Sequence, residues 1–170
     1  MSGQWPELER NLREGMKRSG IFKPEMLESA IEKIKANFSS IDNLTCFDAL
    51  KRGRELTLAE KRGLGLNSRR KYLDDFISYI DLAGLNGGCP NVIYQDVFMD
   101  AVLRTGRAAD LERMKAAGVK KVELLDAYGG MGCSAVWRAR KTYEIAEAPT
   151  LPLPHCDLDY CKCSYIAKVF

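Results

Sequence analysis

The sequence predicts an α+β fold, with a mainly helical N-terminal body and a small β-rich C-terminal module. Three observations predict this. Apolar residues recur at helical spacing through most of the first hundred-odd residues, alternation typical of a strand begins just after Gly118, and three cysteines crowd near the single histidine at the end of the chain. The predicted domains are residues 1–117 and 118–170.

Composition places the chain among globular proteins. It has 170 residues, of which 46% are hydrophobic and 29% are charged, so it can bury a core. The opening "MSGQWPELERNLREG" has no apolar segment of the kind a signal peptide needs, and no apolar run approaches the roughly 18–20 residues of a membrane span. We therefore expect a cytoplasmic protein that does not contact membranes. In that reducing compartment, its six cysteines favour metal binding or buried thiols over disulfides.

Periodicity and capping residues predict the helices of the N-terminal body. In "KPEMLESAIEKIKANF" the apolar residues lie on one helical stripe, formed by Leu27, Ile31, Ile34 and Phe38. Thr57 and Glu60 have the spacing of a capping box, which predicts a short helix ending at Gly63 or Gly65.

Two longer helical segments follow in the sequence. Asn67 or Ser68 is expected to cap a helix with an apolar face, formed by Leu73, Phe76, Ile77 and Ile80. After the turn "LNGGCPN", residues 91–118 read as helical, with a break expected at Thr105–Gly106 and a stop at Gly118.

The C-terminal module reads as a short sheet. The predicted strands are residues 119–125, 142–145 and 164–169. "YGGMG" is expected to be the loop that aims Cys133, and the proline-rich "EAPTLPLPH" is expected to be extended. A module of about fifty residues with few large apolar side chains cannot build much core, so it is expected to need a covalent or metal cross-link.

The cysteines supply the expected cross-link. Cys156, Cys161 and Cys163 follow the spacing C-x4-C-x-C, and tetrahedral Zn²⁺ takes four nitrogen or sulfur ligands. Cys133 is the expected fourth ligand, and His155 is the alternative. The spacing leaves iron, an iron–sulfur cluster, and unligated or redox thiols open. Cys46 and Cys89 are isolated in sequence and are expected to be ordinary small hydrophobic residues.

The same C-terminal stretch resembles the Cys-rich C-terminal module of Mu F-like phage head morphogenesis proteins and of related uncharacterised bacterial proteins. The matching features are the strand at Val119–Asp126, Cys133, the Lys141–Tyr143 strand, the proline-rich stretch Pro149–Pro154 and the closing cysteine cluster. The family's second turn cysteine is replaced by Val136, and its closing "HPxCRC" reads "PHCDLDYCKC" here. The resemblance covers about fifty residues and implies a phage or prophage context with a structural or binding role.

A basic segment offers an alternative function. Residues 51–71 carry eight basic and two acidic side chains, a local charge of +6 in a chain whose formal charge is +3. The segment could form a helix-turn-helix whose second helix opens at residues 67–71. The candidate nucleic-acid contacts are Arg54, Lys61, Arg62, Arg69, Arg70 and Lys71.

Enzymatic motifs are missing from the sequence. One histidine cannot build a multi-histidine catalytic metal site, and no G-x-S-x-G, P-loop or G-x-G-x-x-G motif occurs. The sequence therefore favours a non-enzymatic interaction protein with a structural zinc ion and a protein partner. Nucleic-acid binding is the alternative, and an enzyme of unrecognised type stays open.

Overall fold

The computed structural model describes residues 4–39, 44–126, 133–156 and 161–168. The chain divides into two compact units, Met1–Ala101 and Val102–Phe170. The mainly helical α+β class predicted from the sequence is confirmed. The predicted boundary at 117/118 falls where the longest described helix ends, and as a domain boundary it stays a prediction. Among the described residues, no helix combines the length and the apolar character that crossing a membrane requires.

Short helices build the first unit, together with the start of a long one. Its α-helices are α1 (Trp5–Ser19), α2 (Leu27–Lys35), α3 (Leu58–Gly63), α4 (Asp74–Ser78) and the first part of α5 (Pro90–Ala116). Single 3₁₀ segments lie between them, at Pro24–Met26, Leu44–Leu50 and Leu82–Leu85.

The core of the first unit follows the predicted stripes. In α2, Leu27, Ile31 and Ile34 are buried as expected, and they lie beside the buried face of α1. The ring of Tyr94 on α5 stacks on Phe47, with centroids 5.3 Å apart and planes within 4°. Aromatic burial of this kind contributes strongly to core stability, because each ring removes a large apolar area from water.

Helix α3 forms as its capping box predicts. The Thr57 hydroxyl accepts a hydrogen bond from the Glu60 amide at 3.3 Å, and the Glu60 carboxylate accepts one from the Thr57 amide at 2.8 Å. Two of the helix's otherwise unpaired N–H groups are thus satisfied, and the helix ends at Gly63.

The prediction that a helix begins at Asn67 or Ser68 is wrong. The side chain of Asn67 accepts a hydrogen bond from the Arg69 amide at 2.9 Å, which closes a local turn instead of capping a helix. Leu73 then pairs with Glu55 in an isolated β-bridge, and α4 begins only at Asp74. The predicted apolar residues Phe76 and Ile77 are nevertheless buried.

The break expected at Thr105–Gly106 is also wrong, because α5 continues through it to Ala116. Thr105 is only 1% exposed, so burial of this part of the helix offsets the weak helix propensity of the pair. The stop at Gly118 is confirmed: its φ of +80° is left-handed, a conformation that glycine adopts without steric cost.

The second unit contains the predicted small sheet. Its strands β1 (Lys121–Leu125), β2 (Thr142–Glu144) and β3 (Ser164–Lys168) are antiparallel in the order β2-β1-β3. Register pairs Val122 with Tyr143 on one side and with Ala167 on the other. A short helix, α6 (Ser134–Arg138), and a 3₁₀ turn at Ile145–Glu147 lie between β1 and the proline-rich stretch. The predicted loop "YGGMG" and Val169 lie outside the described residues.

Tyr165 anchors the proline-rich stretch to β3. Its hydroxyl donates to the Pro149 carbonyl at 2.8 Å and accepts from the Leu151 amide at 3.2 Å. Leu151 is buried with Val122 and Leu124 of β1, so the proline-rich segment covers one face of the sheet. Three of the cysteines that the sequence predicts as metal ligands complete this core.

Candidate metal centre

The four cysteines predicted as ligands come from three stretches of the second unit. Cys133 is the extended residue that precedes α6, Cys156 follows the proline-rich segment, and Cys161 and Cys163 lie just before β3. Cys133, Cys161 and Cys163 belong to the buried core, and Cys156 packs against it. The fold therefore brings together residues that are far apart in sequence.

The sulfur separations have the scale of a tetrahedral thiolate site. The Sγ atoms of Cys133 and Cys156 are 3.7 Å apart, and the four cysteines cluster with separations of 3.7–4.1 Å. In a regular tetrahedron with Zn–S bonds of about 2.3 Å, sulfurs lie about 3.8 Å apart. A disulfide would require about 2.05 Å, and all four cysteines are free thiols. The cluster is compatible with a metal site.

A cation would still have to complete the arrangement. Across the described ranges, no group of three or more His, Cys, Asp or Glu side chains is arranged so that it could hold a metal ion as it stands. The thiols would therefore have to turn toward a cation, and small rotations about the Cα–Cβ bonds move a thiol without disturbing the backbone. The backbone already places the four residues side by side.

Burial determines the chemistry of these thiols. Cys163 is 1% exposed, and this burial, followed by the neighbouring Cys161 and Cys133 thiols, raises its pKa well above the ordinary value. Without a cation, Cys163 therefore favours the protonated thiol. A divalent cation reverses this preference, because a coordinated thiol is deprotonated outright. The donor set suits a thiophilic metal and no hard, oxygen-seeking one.

A buried arginine lies against the cluster's backbone. Arg107 is 5% exposed, and its Nη2 donates a hydrogen bond to the carbonyl oxygen of Cys161. Its Nε and Nη1 are buried and have no hydrogen-bond partner among the residues that the structure describes. A buried guanidinium whose donors are only partly paired is stabilised by nearby negative charge, which a set of thiolates bound to a divalent metal would supply.

His155, the alternative ligand, is exposed and has a left-handed φ of 62°. An exposed imidazole keeps its hydration, whereas three of the four thiols have already lost theirs. The donor set is thus three buried cysteines together with the partly buried Cys156.

The basic segment has a different structure from the one the alternative function assumed. No helix opens at residues 67–71, so the proposed recognition helix does not form. Lys61 is buried and bonds Glu55 at 2.8 Å, and Arg54 bonds Glu60 at 2.6 Å. The remaining candidate contacts are exposed, namely Arg62, Arg69, Arg70 and Lys71. Nucleic-acid binding through this segment stays a prediction.

Sequence reasoning missed the surroundings of Cys89. This half-buried thiol lines a cleft of about 520 Å³ in the first unit, beside Arg70 and Tyr72. The Arg70 guanidinium lies 3.5 Å from Sγ and the Tyr72 hydroxyl 3.8 Å from it. One feature of the sequence could have indicated this environment. Cys89 directly precedes Pro90, the first residue of α5, and a side chain at the N-cap position of a helix faces the free amides of the first turn. Cys46, in contrast, is buried as expected.

The chain matches no protein-family model, and comparison with curated proteins and with solved structures finds no match either. The likeness to Mu F-like phage head proteins is therefore untested by these comparisons and stays a prediction.

Proposed function

We propose that Cys133, Cys156, Cys161 and Cys163 bind one Zn²⁺ in a closed structural site. The observation that carries this proposal is the clustering of four free cysteines, from three separate stretches, at separations of 3.7–4.1 Å. Zinc is chosen over iron because four-cysteine tetrahedral sites are its commonest structural setting. The buried guanidinium of Arg107, whose Nε and Nη1 have no partner among the described residues, supports an anionic rather than a neutral cluster.

The role of the metal is to order the second unit. Cys133 precedes α6 and Cys163 precedes β3, so one ion ties both elements to the end of the proline-rich stretch. Structural zinc sites in small domains bind with an apparent free energy of about 10–16 kcal/mol at neutral pH. That exceeds the total stability of many small domains, so folding of this unit depends on the metal.

The function we propose for the ordered unit is binding another protein. A four-thiolate site leaves no open coordination position for a substrate, which argues against catalysis at the metal. Trp137 on α6 is 61% exposed, and Ile166 on β3 is 44% exposed. Leu125 lies on the same outer face of the sheet as Ile166, because Ile166 is opposite Glu123 and side chains two apart share a face. Exposed large apolar groups of this kind are typical contact residues.

The biological setting we propose comes from the resemblance described above. The resemblance suggests a phage or prophage protein with a structural or binding role. A small unit that is cross-linked by a metal and carries exposed apolar side chains is consistent with such a role. We also propose a cytoplasmic location, which the six free thiols support.

The test is removal of the metal from the intact protein. Chelation, or the substitution Cys161→Ser, should abolish zinc binding and cause loss of amide protection in β1 and β3, while α1 and α2 stay protected. Cys89→Ser is the matched control, because this residue lies outside the cluster and should leave zinc content unchanged. A Cys161→Ser protein that retains its zinc would refute the proposal.

A further inference from the structure

The buried guanidinium of Arg107 has a hydrogen-bonding pattern that the fold alone does not account for. Arg107 lies on α5 within the second unit and is 5% exposed. Its Nη2 donates to the Cys161 carbonyl, whereas Nε and Nη1 have no partner within the described part of the chain. An arginine side chain carries five N–H donors and is always protonated in proteins. The positive charge is therefore buried with part of its hydrogen-bonding capacity unused.

A buried positive charge such as that of Arg107 is stable only if a negative charge lies nearby. Burying a guanidinium without compensation is strongly unfavourable, because the lost hydration is not replaced. Among the described residues of the second unit, the buried polar or charged side chains are Thr105 and Arg107, and neither is an acid. No described carboxylate therefore balances Arg107 from within this core.

Among the described residues, the cysteine cluster could supply this negative charge once it binds a metal. Four thiolates bound to a divalent metal carry a net charge of −2. Arg107 binds the backbone carbonyl of Cys161. The guanidinium therefore contacts the same residue whose sulfur is a candidate metal ligand. The same hydrogen bond fixes the backbone of the C-x-C turn that supplies two of the four thiols.

We propose that Arg107 is a positioning residue of the metal site, which holds Cys161 in place and supplies positive charge to a dianionic four-thiolate centre. This inference rests on the proposed function. Residues that support a metal site from outside its ligand set typically change metal affinity by 10–100-fold when they are replaced. Arg107 belongs to that class, because its contact is with a ligand's backbone and not with the metal.

The experiment measures zinc affinity of the full-length protein by competition with a chromophoric chelator. Arg107→Met removes the charge and the hydrogen bonds, and its zinc affinity should fall by about 10–100-fold. Arg107→Lys keeps the charge, so its affinity should lie closer to that of the wild type. Arg113→Met is the matched control: it is an exposed arginine on the same helix, and its affinity should be unchanged.

A second readout separates a role at the metal from a general role in folding. The thiolate-to-metal absorption of the Co²⁺-loaded protein reports how many sulfurs bind, and Arg107→Met should weaken it while Arg107→Lys restores it. Equal zinc affinity of both variants and the wild type would overturn the inference while leaving the proposed site intact. A Lys variant as weak as the Met variant would overturn the charge-compensating role. A wild type that binds no zinc would overturn the proposed function and this inference together.

Discussion

The Sγ atoms of Cys133 and Cys156 lie 3.7 Å apart, although 23 residues separate them in the chain. The residues between them form α6, β2 and the proline-rich stretch. A contact between sulfurs at this separation closes a loop that includes much of the second unit. A cation bound there would therefore stabilise the folded conformation of the whole loop, because a cross-link that closes a loop reduces the entropy of the unfolded chain.

The ligand assignment predicts different results for Cys133 and His155. Cys133→Ser should lower the zinc content from one ion per chain to near zero, because a serine hydroxyl is a poor ligand for this metal. His155→Ala should leave the zinc content at one, because His155 is exposed whereas three of the four thiols are buried and Cys156 is partly buried. Native mass spectrometry of the two variants measures both outcomes. Retention of zinc by Cys133→Ser with its loss in His155→Ala would replace Cys133 by His155 in the ligand set.

Cys89 should react as a thiolate at a lower pH than a free cysteine does. Its partial burial would by itself raise its pKa, but the amides of Val92 and Asn91, together with Tyr72 and Arg70, lower the pKa below the usual value. The thiolate fraction at pH 7 is then higher than that of a free cysteine, whose pKa is about 8.5. Peptide-resolved alkylation across a pH series should give a reaction midpoint for Cys89 below that of a free thiol.

Arg70 and Cys46 provide the controls for this measurement. Arg70→Met removes the guanidinium 3.5 Å from the sulfur and should move the Cys89 midpoint to higher pH. Burial raises the pKa of Cys46, so that thiol should stay unreactive in the folded protein. A Cys89 midpoint at or above the free-thiol value would show that its neighbours do not stabilise the thiolate.

Acid should weaken α3 through Glu60. The Arg54 guanidinium, followed by the amide and hydroxyl of Thr57, lowers the pKa of Glu60 far below its usual value. A carboxyl group whose pKa is lower in the folded state stabilises that state above its unfolded pKa of about 4.3. This contribution is lost as the pH falls from there through the folded-state pKa. Glu60→Gln should therefore lower amide protection in α3 at pH 7.

The difference between wild type and Glu60→Gln should shrink as the pH falls below about 4.3. High salt should also reduce it, because Arg54 and Glu60 are exposed and their attraction is screened. Glu14→Gln, at an exposed position of α1, is the matched control and should show no such effect in α3. A difference that is constant from pH 7 to pH 3 would mean that the Glu60 charge does not support the cap.

Local rules predicted the parts of the fold in which neighbouring residues decide the structure. The Thr57–Glu60 box and the apolar stripe of α2 each depend on residues within a few turns, and both formed as predicted. The errors arose where distant contacts prevailed. Leu73 joined Glu55 in a β-bridge instead of extending α4, and burial of Thr105 carried α5 through Gly106.

The same contrast holds for the candidate site. Spacing identified Cys156, Cys161 and Cys163 as a group, and the glycine-rich loop before Cys133 suggested that its thiol could face them. Nothing in the sequence around Arg107 indicated that a helix more than fifty residues away would bury a guanidinium against Cys161. The cleft at Cys89 likewise depends on Arg70 and Tyr72, which only the fold brings to the start of α5.

The most direct test of the account is the amount of metal per chain in protein purified without a metal-affinity tag. Elemental analysis of the full-length protein should find one zinc ion per chain, lost together with the structure of the second unit when a strong chelator is added. Protein that contains no metal, takes up none from added Zn²⁺ and keeps the protected strands β1 and β3 would contradict the central claim.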